Sequence, residues 1–201
     1  SGDFITGEYV VGLLSEVFLN KEKGATIIHD SRVIWNTIDV VGKCGGKAVA
    51  SKTGHAFVKA AMRTRDAIYG GEMSAHHYFR EFAYCDSGMI PWLLVWEYLS
   101  TSNLLLSDLI SERQNRFPSS GEFNFTVPNA EYCIERVQNY FASKATFIDE
   151  IDGLSMSFDT WRFNLRKSNT EPLVRLNIET RGDEVLLKEK IDELKHLIKQ
   201  S

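Results

Sequence analysis

The 201-residue chain is 43% hydrophobic and 25% charged, and its formal net charge is -4 at pH 7. These values are typical of a soluble globular protein with one large domain or two small ones. Nucleic acid is excluded as an expected partner because a general nucleic-acid binder needs a basic surface. A membrane span is excluded because no apolar run approaches roughly 20 residues, and no signal peptide is expected.

The first half of the sequence alternates amphipathic helices with short apolar strands. Such alternation predicts an α/β domain with a mixed, mainly parallel sheet and helices on both faces. Helices are predicted over 8–19, 35–44, 55–62, 88–99 and 107–116, and strands over 25–28, 48–50 and 67–69. Five large aromatic residues of this half are expected in the core: Tyr9, Trp35, Phe57, Trp92 and Trp96.

Residues 117–121 read Phe-Pro-Ser-Ser-Gly and predict a boundary, because proline, serine and glycine interrupt regular structure there. A strand-rich pattern follows, with strands predicted over 122–127, 146–148, 154–156, 161–165 and 174–178. Apolar residues at helical spacing predict one helix around 130–141 and another around 187–198. The second half is therefore predicted to be an α+β domain, an antiparallel sheet with two helices on one side. The predicted domains are 1–118 and 119–201.

The three cysteines, Cys44, Cys85 and Cys133, are odd in number and lack metal-ligand spacing. They predict reduced thiols in a cytoplasmic protein. The sequence opens at Ser1 without Met and enters a helical pattern almost at once, which predicts that the chain is a piece of a longer protein.

Polar residues gather after each predicted strand of the first half, at 29–32, 51–55 and 70–77. Ligands bind outside the carboxyl ends of strands in open α/β sheets, so these clusters are expected to converge. Carboxylate, hydroxyl, imidazole and cationic groups together suit a ligand with several hydroxyls and an anionic end. Two other interpretations stay open: His29 and Asp30 as part of a helix cap, and Glu72, His76 and His77 as metal ligands. No cysteine or third spaced histidine supports the second, so no metal site is predicted.

The segment Arg166-Lys167-Ser168-Asn169-Thr170-Glu171-Pro172 separates two predicted strands. Hydroxyls, an amide and backbone N–H groups in such a tight loop can all donate to one phosphate, and Arg166 adds a charged fork. Arg175 lies on the following strand. An ordinary hairpin turn with an exposed arginine explains the same residues.

At these two loops the sequence resembles the α-D-phosphohexomutase family. Gly71-Glu72-Met73-Ser74-Ala75-His76 is similar to the family's sugar-binding loop, whose usual form has Gly in place of Ala75. The 166–172 segment is similar to its phosphate-binding loop, and Thr53-Gly54-His55 matches its third domain. Within the family, the stretches 51–57 and 86–92 are most similar to bacterial phosphomannomutases of the GDP-mannose pathway. The resemblance implies that this chain is the third and fourth of four domains.

The resemblance also implies roles for individual residues. Glu72 and Ser74 would hydrogen-bond adjacent sugar hydroxyls, His55 and His76 would line the active-site cleft, and Arg32 matches a cationic cleft position. The phosphate that is not transferred would be bound by Arg166, Ser168, Asn169 and Thr170.

The implied reaction moves a phosphoryl group between O6 and O1 of a hexose through an enzyme phosphoserine. In the family the phosphoserine lies in the first domain and a magnesium loop of three aspartates in the second. Neither motif occurs here, and Asp3 stands alone. The parent enzyme would need Mg²⁺ and an activating hexose bisphosphate, whereas this chain is expected to hold no cofactor and no catalytic residue. Its expected partners are hexose phosphates and the N-terminal domains of the same protein.

Three hypotheses of function therefore stand side by side. The chain is an enzyme fragment inactive alone, from a phosphomannomutase or else from a phosphoglucomutase or dual-specificity enzyme. It is a complete, non-catalytic sugar-phosphate binding protein. It is an unrelated α/β enzyme that uses His29, Asp30 and Glu72 as a metal or acid–base site.

Overall fold

A computed structural model describes residues 2–168 and 171–200. Contacts divide the chain into two compact units, 1–114 and 115–201. The division falls shortly before the proline- and serine-containing segment at 117–121. Each unit is described by itself.

The first unit contains five helices and five short strands among its described residues. The helices are α1 (Gly7–Lys21), α2 (Trp35–Lys43), α3 (His55–Arg65), α4 (Met89–Ser102) and α5 (Leu106–Arg116, which runs past the division). The strands are β1 (Thr26–Asp30), β2 (Lys47–Ser51), β3 (Tyr69–Gly71), β4 (His77–Phe79) and β5 (Cys85–Asp86), with a 3-10 turn at Arg80–Phe82. The sheet order is β2-β1-β3-β4-β5; the first two pairings are parallel and the last two antiparallel.

Helices cover both faces of this sheet, as the alternating pattern predicts. Neighbouring residues of β1 show why, because successive side chains of a strand point to opposite faces. Ile27 packs with Leu14 of α1 and Val41 of α2. Ile28 packs with Val58 and Met62 of α3. Both isoleucines are fully buried, so the short apolar strand serves two cores at once.

The observed sheet differs from the predicted one in two ways. Its third strand begins later than predicted, and it contains two strands, β4 and β5, that were not predicted. The third strand begins at Tyr69, two residues later than predicted, because the ladder with β1 starts where Tyr69 pairs with Ile27. The strands β4 and β5 have three and two residues, too short to show an alternating pattern.

Two of the five aromatic residues expected in the core are buried, Tyr9 and Trp35. The expectation is wrong for Phe57, Trp92 and Trp96, which are 52%, 45% and 66% exposed. The helix α4 is apolar nearly all round, so its sequence carries no sign of which side faces the sheet.

The second unit is an antiparallel sheet with two helices. The strands are β6 (Ser119–Thr126), β7 (Phe147–Asp149), β8 (Leu154–Ser157), β9 (Trp161–Lys167) and β10 (Leu173–Thr180), in the order β6-β10-β9-β8-β7. The helices are α6 (Ala130–Phe141) and α7 (Glu184–Lys199); their N-caps, Asn129 and Asp183, each accept a backbone N–H of the first turn. Both helices contribute to one hydrophobic core with the sheet, as predicted.

No described helix is both long enough and apolar enough to cross a membrane. The three cysteines are free thiols, and Cys133 is fully buried in the core of the second unit.

Candidate functional site

The polar clusters of the first unit meet at one edge of its sheet. The strands β1, β2 and β3 run parallel, so their carboxyl ends lie together. In register, Asp30 stands beside Ser51 and His29 beside Gly71. This edge is where an open α/β sheet binds its ligands.

Asp30 and Arg32 form a buried ion pair at the end of β1. One carboxylate oxygen of Asp30 accepts from Arg32 Nε at 3.0 Å and from Nη2 at 2.5 Å. Their side chains are 2% and 5% exposed. The same oxygen accepts from the backbone N–H of Met73 at 2.7 Å, and Arg32 Nη2 donates to Ser74 Oγ at 3.2 Å. Asp30 therefore fixes both the guanidinium and the loop that carries Ser74.

The loop at 71–76 is a tight turn between β3 and β4. The N–H of Glu72 donates to the carbonyl of His76, and the N–H of Ala75 donates to the carbonyl of Glu72, both at 2.9 Å. Ala75 has φ 63°, in the left-handed region. That conformation costs a non-glycine residue roughly 1–2 kcal/mol, which explains why glycine is the usual residue at this position of the resembling loop.

The carboxylate of Glu72 is enclosed, with the residue only 1% exposed. One oxygen accepts from the N–H of Gly54 at 2.7 Å, and the other accepts from the Tyr78 hydroxyl at 2.5 Å. Burial and the bond to Glu72 raise the pKa of Tyr78, so this hydroxyl stays a donor at neutral pH. Each carboxylate oxygen keeps a second lone pair that can accept a further hydrogen bond.

His55 and His76 lie side by side on the open part of this edge, with ring centroids 4.5 Å apart. Asp86 of β5 joins them: its Oδ2 is 2.8 Å from His76 Nδ1 and 3.9 Å from His55 Nε2. Its Oδ1 accepts from the N–H of His77 at 2.9 Å. Burial pushes the pKa of Asp86 up, but the bonds from His77 N–H and from His76 outweigh it, and the pKa lies below its usual value.

His77 faces the core instead. Its Nδ1 lies 2.7 Å from the Tyr69 hydroxyl, and burial lowers its pKa to about 4. The set Glu72, His76 and His77 therefore does not converge on a point. Among the described residues, neither that set nor the set with His29 and Asp30 forms a cluster able to hold a metal.

The second loop joins β9 to β10. Arg166 stands opposite Arg175 in the ladder, and the N–H of Ser168 donates to the carbonyl of Leu173 at 2.9 Å. Ser168 is 4% exposed. Two of the predicted phosphate ligands, Asn169 and Thr170, lie outside the described residues.

Arg166 is not the exposed arginine of an ordinary hairpin, because it is only 8% exposed. Glu122 of β6 holds it: Arg166 Nη2 donates to Oε2 at 3.1 Å, and Arg175 Nη1 donates to Oε1 at 3.0 Å. Arg175 Nη2 also reaches Glu171 at 3.5 Å. Two guanidinium groups thus share one carboxylate beside the loop.

Sequence reasoning missed the residues that support both loops. Asp86 and Glu122 are charged residues on strands. Such residues are common and belong to no recognisable sequence motif. Gly7 lets the start of α1 approach the 71–76 loop, since a Cβ there would lie 2.2 Å from Met73 O. Gly153 does the same beneath Arg166, where a Cβ would lie 2.5 Å from Arg166 Cβ. Spatial closeness of this kind leaves no signal in a single sequence.

Comparison with known protein families shows to which family the chain belongs. The family model for "Phosphoglucomutase/phosphomannomutase, alpha/beta/alpha domain III" matches residues 6–117, and the model for the C-terminal domain of the same family matches 122–197. The chain belongs to the phosphoglucomutase/phosphomannomutase family. Both loops with their supporting residues lie within the matched ranges.

Curated relatives agree and show what part of them the chain represents. A phosphomannomutase of Vibrio cholerae is 58% identical over 201 residues, which is all of this chain and 43% of the relative. Proteins named phosphohexose mutases from Xanthomonas campestris are 52% identical over 99% of this chain and 44% of their own length. The chain thus spans less than half the length of the curated relatives it matches.

The solved structures show the same fold. A phosphoglucomutase/phosphomannomutase family protein from Burkholderia thailandensis matches with a TM-score of 0.79 at 27% identity. The match covers 99% of this chain and 42% of that structure. The arrangement of an α/β unit followed by an α+β unit is therefore that of family domains III and IV.

Proposed function

We propose that this chain is the recognition half of a phosphomannomutase that interconverts mannose 6-phosphate and mannose 1-phosphate. Residues 1–118 correspond to its third domain and 119–201 to its C-terminal domain. The observation that carries the proposal is the ordered match to domain III and the C-terminal domain, with 58% identity to a phosphomannomutase over 43% of that enzyme.

In this proposal the first unit recognises the sugar by hydrogen bonds to its hydroxyl groups. The Ser74 hydroxyl and the half-exposed rings of His55 and His76 supply donors and acceptors at the open sheet edge. Arg32 orients Ser74 through its 3.2 Å hydrogen bond. Glu72 joins them as a hydroxyl acceptor.

The second unit supplies the phosphate clamp. Arg166 offers a planar fork of N–H groups, and Ser168, Asn169 and Thr170 add hydroxyl and amide donors. A clamp remote from the reacting atoms contributes binding energy that orients the sugar. The chemistry would come from the rest of the parent enzyme, so this chain alone is inactive.

Magnesium and an activating hexose bisphosphate belong to the proposal for the parent enzyme only. Mg²⁺ prefers an octahedron of oxygen ligands. The one described cluster of three or more metal-ligating residues contains two imidazoles, which do not fit that preference. Among the described residues, this cluster is therefore not assigned to magnesium. A cytoplasmic location stays a prediction from the free thiols.

The names of some relatives favour one alternative, a dual-specificity phosphohexomutase. The relatives from Xanthomonas campestris are named phosphohexose mutases and are 52% identical over nearly the whole chain. The chain spans less than half the length of these relatives, so mannose and glucose phosphates both need testing.

A phosphate titration of the 201-residue chain tests the clamp. Replacing Arg166 by Ala should weaken inorganic phosphate binding about tenfold, since a charge-assisted hydrogen bond is worth about 1.5–3 kcal/mol. Arg166→Lys should restore only part, because an ammonium keeps the charge but not the fork. Glu122→Gln should strengthen binding, because Glu122 competes with the anion for Arg166 and Arg175.

The matched control is Arg136→Ala, which removes a cation of the same unit that pairs with Gln200 instead. It should leave phosphate binding unchanged, as should Glu72→Gln. The readout is the shift of the backbone amide resonances of residues 166–171 during the titration. Unchanged affinity in Arg166→Ala, or shifts confined to other residues, would refute the clamp assignment.

Activity assays test the rest of the proposal. The chain with magnesium and hexose 1,6-bisphosphate should convert neither mannose 1-phosphate nor glucose 1-phosphate. The full-length protein should convert mannose 1-phosphate, and Glu72→Gln in it should impair the reaction in both directions. Turnover by the 201-residue chain alone, retained on repurification, would contradict the assignment of the chemistry to other domains.

A further inference from the structure

The open edge of the first sheet carries a cluster of side chains suited to a transition-metal ion. His55, His76 and Asp86 each offer one ligand atom, and these atoms all lie within 4.8 Å of one another. Across residues 2–168 and 171–200, this is the one group of at least three histidine, cysteine, aspartate or glutamate residues with such spacing. From the sequence alone, Asp86 enters only within the stretch 86–92 and is assigned no role.

The spacing is close to that of a zinc site. Zinc binds nitrogen and oxygen at about 2.0–2.2 Å, so the ligands of a tetrahedral site lie about 3.4 Å apart. The distances from Asp86 Oδ2, 2.8 Å to His76 Nδ1 and 3.9 Å to His55 Nε2, bracket that value. The third pair of ligand atoms, on His55 and His76, lies within 4.8 Å, and both imidazoles are partly exposed.

The surroundings match the needs of such a site. The other oxygen of Asp86 accepts the N–H of His77, which holds the carboxylate in place. His55 is the first residue of α3, and its ring packs edge-on against Tyr78 at 5.3 Å between centroids. The imidazole side chains are 49% and 44% exposed, so a fourth ligand enters from solvent.

We propose that His55, His76 and Asp86 form a three-ligand site for Zn²⁺ or a similar transition-metal ion, with the fourth position open. Imidazole ligands select zinc, nickel, copper or cobalt over magnesium, so the site differs from that of the catalytic magnesium.

The proposal that the site binds metal follows from this geometry alone. The effect of the metal on hexose phosphate binding rests on the proposed function. If His55 and His76 line the sugar site, the metal and a hexose phosphate exclude each other. A transition-metal ion would then inhibit hexose phosphate binding by occupying the histidines that contact the sugar hydroxyls. This mode of inhibition is independent of any exchange at the magnesium site.

The test is calorimetric titration of the tag-free 201-residue chain with ZnCl₂, repeated with CoCl₂ while the visible absorption of the bound ion is recorded. The unmodified chain should bind one ion with tetrahedral cobalt absorption. His55→Ala, His76→Ala and Asp86→Asn should each weaken binding at least tenfold. Millimolar MgCl₂ should not compete.

The matched control is His196→Ala, which removes an exposed histidine of the other unit and should leave zinc binding unchanged. If another variant fails to fold, His55→Ala is the variant that tests the site. Its ring is half exposed, so its removal should not prevent folding. Zinc affinity that stays the same in His55→Ala, or falls equally in His196→Ala, would overturn the site.

A second arm separates this proposal from the proposed function. Mannose 6-phosphate added to the zinc-loaded chain should weaken zinc binding, whereas inorganic phosphate at the same concentration should do so less. Zinc binding that resists mannose 6-phosphate would leave the metal site standing and refute the sugar role of His55 and His76. Absence of zinc binding with intact sugar-phosphate binding would do the reverse.

Discussion

The 71–76 loop of the first unit and the 166–172 segment of the second each connect two antiparallel strands, but their described residues are held in different ways. The first is fixed by carboxylates from other parts of the chain: Asp30 holds Arg32 and Met73, and Asp86 holds His76. The second is a local hairpin whose arginines share the single carboxylate of Glu122. The comparison shows that one loop depends on a buried carboxylate that bonds its backbone, and the other on two guanidinium groups that share a part-buried carboxylate.

The largest expected effect follows from removing the partner of a buried charge. Asp30→Ala should lower the free energy of unfolding of the first unit by about 3–5 kcal/mol, because it withdraws the carboxylate that meets the buried guanidinium of Arg32. The measurement is urea unfolding monitored by amide hydrogen exchange in β1. Glu97→Ala is the control, since it breaks the solvent-exposed pair with Lys21 and should cost no more than about 1 kcal/mol.

If Asp30→Ala costs as little as Glu97→Ala, the buried pair of Asp30 and Arg32 adds no more to stability than a surface ion pair. The first loop would then not depend on buried charge.

Acid should destabilise the first unit through His77. The pKa of His77 is lowered to about 4 in the folded state, mainly by burial, against an ordinary value of 6.5. The folded state binds its proton more weakly than the unfolded state. Stability is therefore fully present above pH 6.5 and falls as the pH drops toward 4, by about 3 kcal/mol in all.

Unfolding of the unmodified chain and of His77→Gln, measured between pH 7.5 and pH 4.5 with a chelator present, checks this. The pH dependence of the first unit should be shallower in the variant, while the second unit should show the same profile in both proteins. Parallel profiles for the first unit would show that His77 is not the group responsible.

A smaller effect is expected from the glycine beneath Arg166. Gly153→Ala should destabilise the second unit by about 2–4 kcal/mol, because the new methyl adds a clash with Arg166 to the left-handed backbone cost. Gly121→Ala is the matched control: its φ of 66° is similar to the 73° of Gly153, but no atom lies within 4 Å of its Cβ position. It should cost only the backbone term, about 1–2 kcal/mol.

Thermal unfolding of the two variants measures the difference, and the phosphate titration shows whether Arg166 has moved. Equal losses in both would mean that the packing beneath Arg166 does not help to position it.

Much of the fold was predictable because its signals are local. Residues 25–28 are a short, mainly apolar run that predicts a buried strand, and Ile27 and Ile28 do lie in two separate cores. The helices of the second unit followed from apolar residues at helical spacing. The exposed faces of Trp92 and Trp96 were not predictable, because α4 is apolar on every side and its pattern has no direction.

The sequence by itself determined the two-part organisation, the class of each part and the two loops, because turn residues and hydrophobic period act over a few neighbouring positions. It also placed Arg32 and Ser74 at one sheet edge, since parallel strands end together. Only the tertiary structure decided which groups hold them. Asp30 with Met73, Glu72 with Gly54, Asp86 with His55, and Glu122 with Arg166 are pairs separated by 18 to 44 residues, apart from the shorter link of Asp86 to His76. Contacts of that range are set by strand register and packing, which no local pattern encodes.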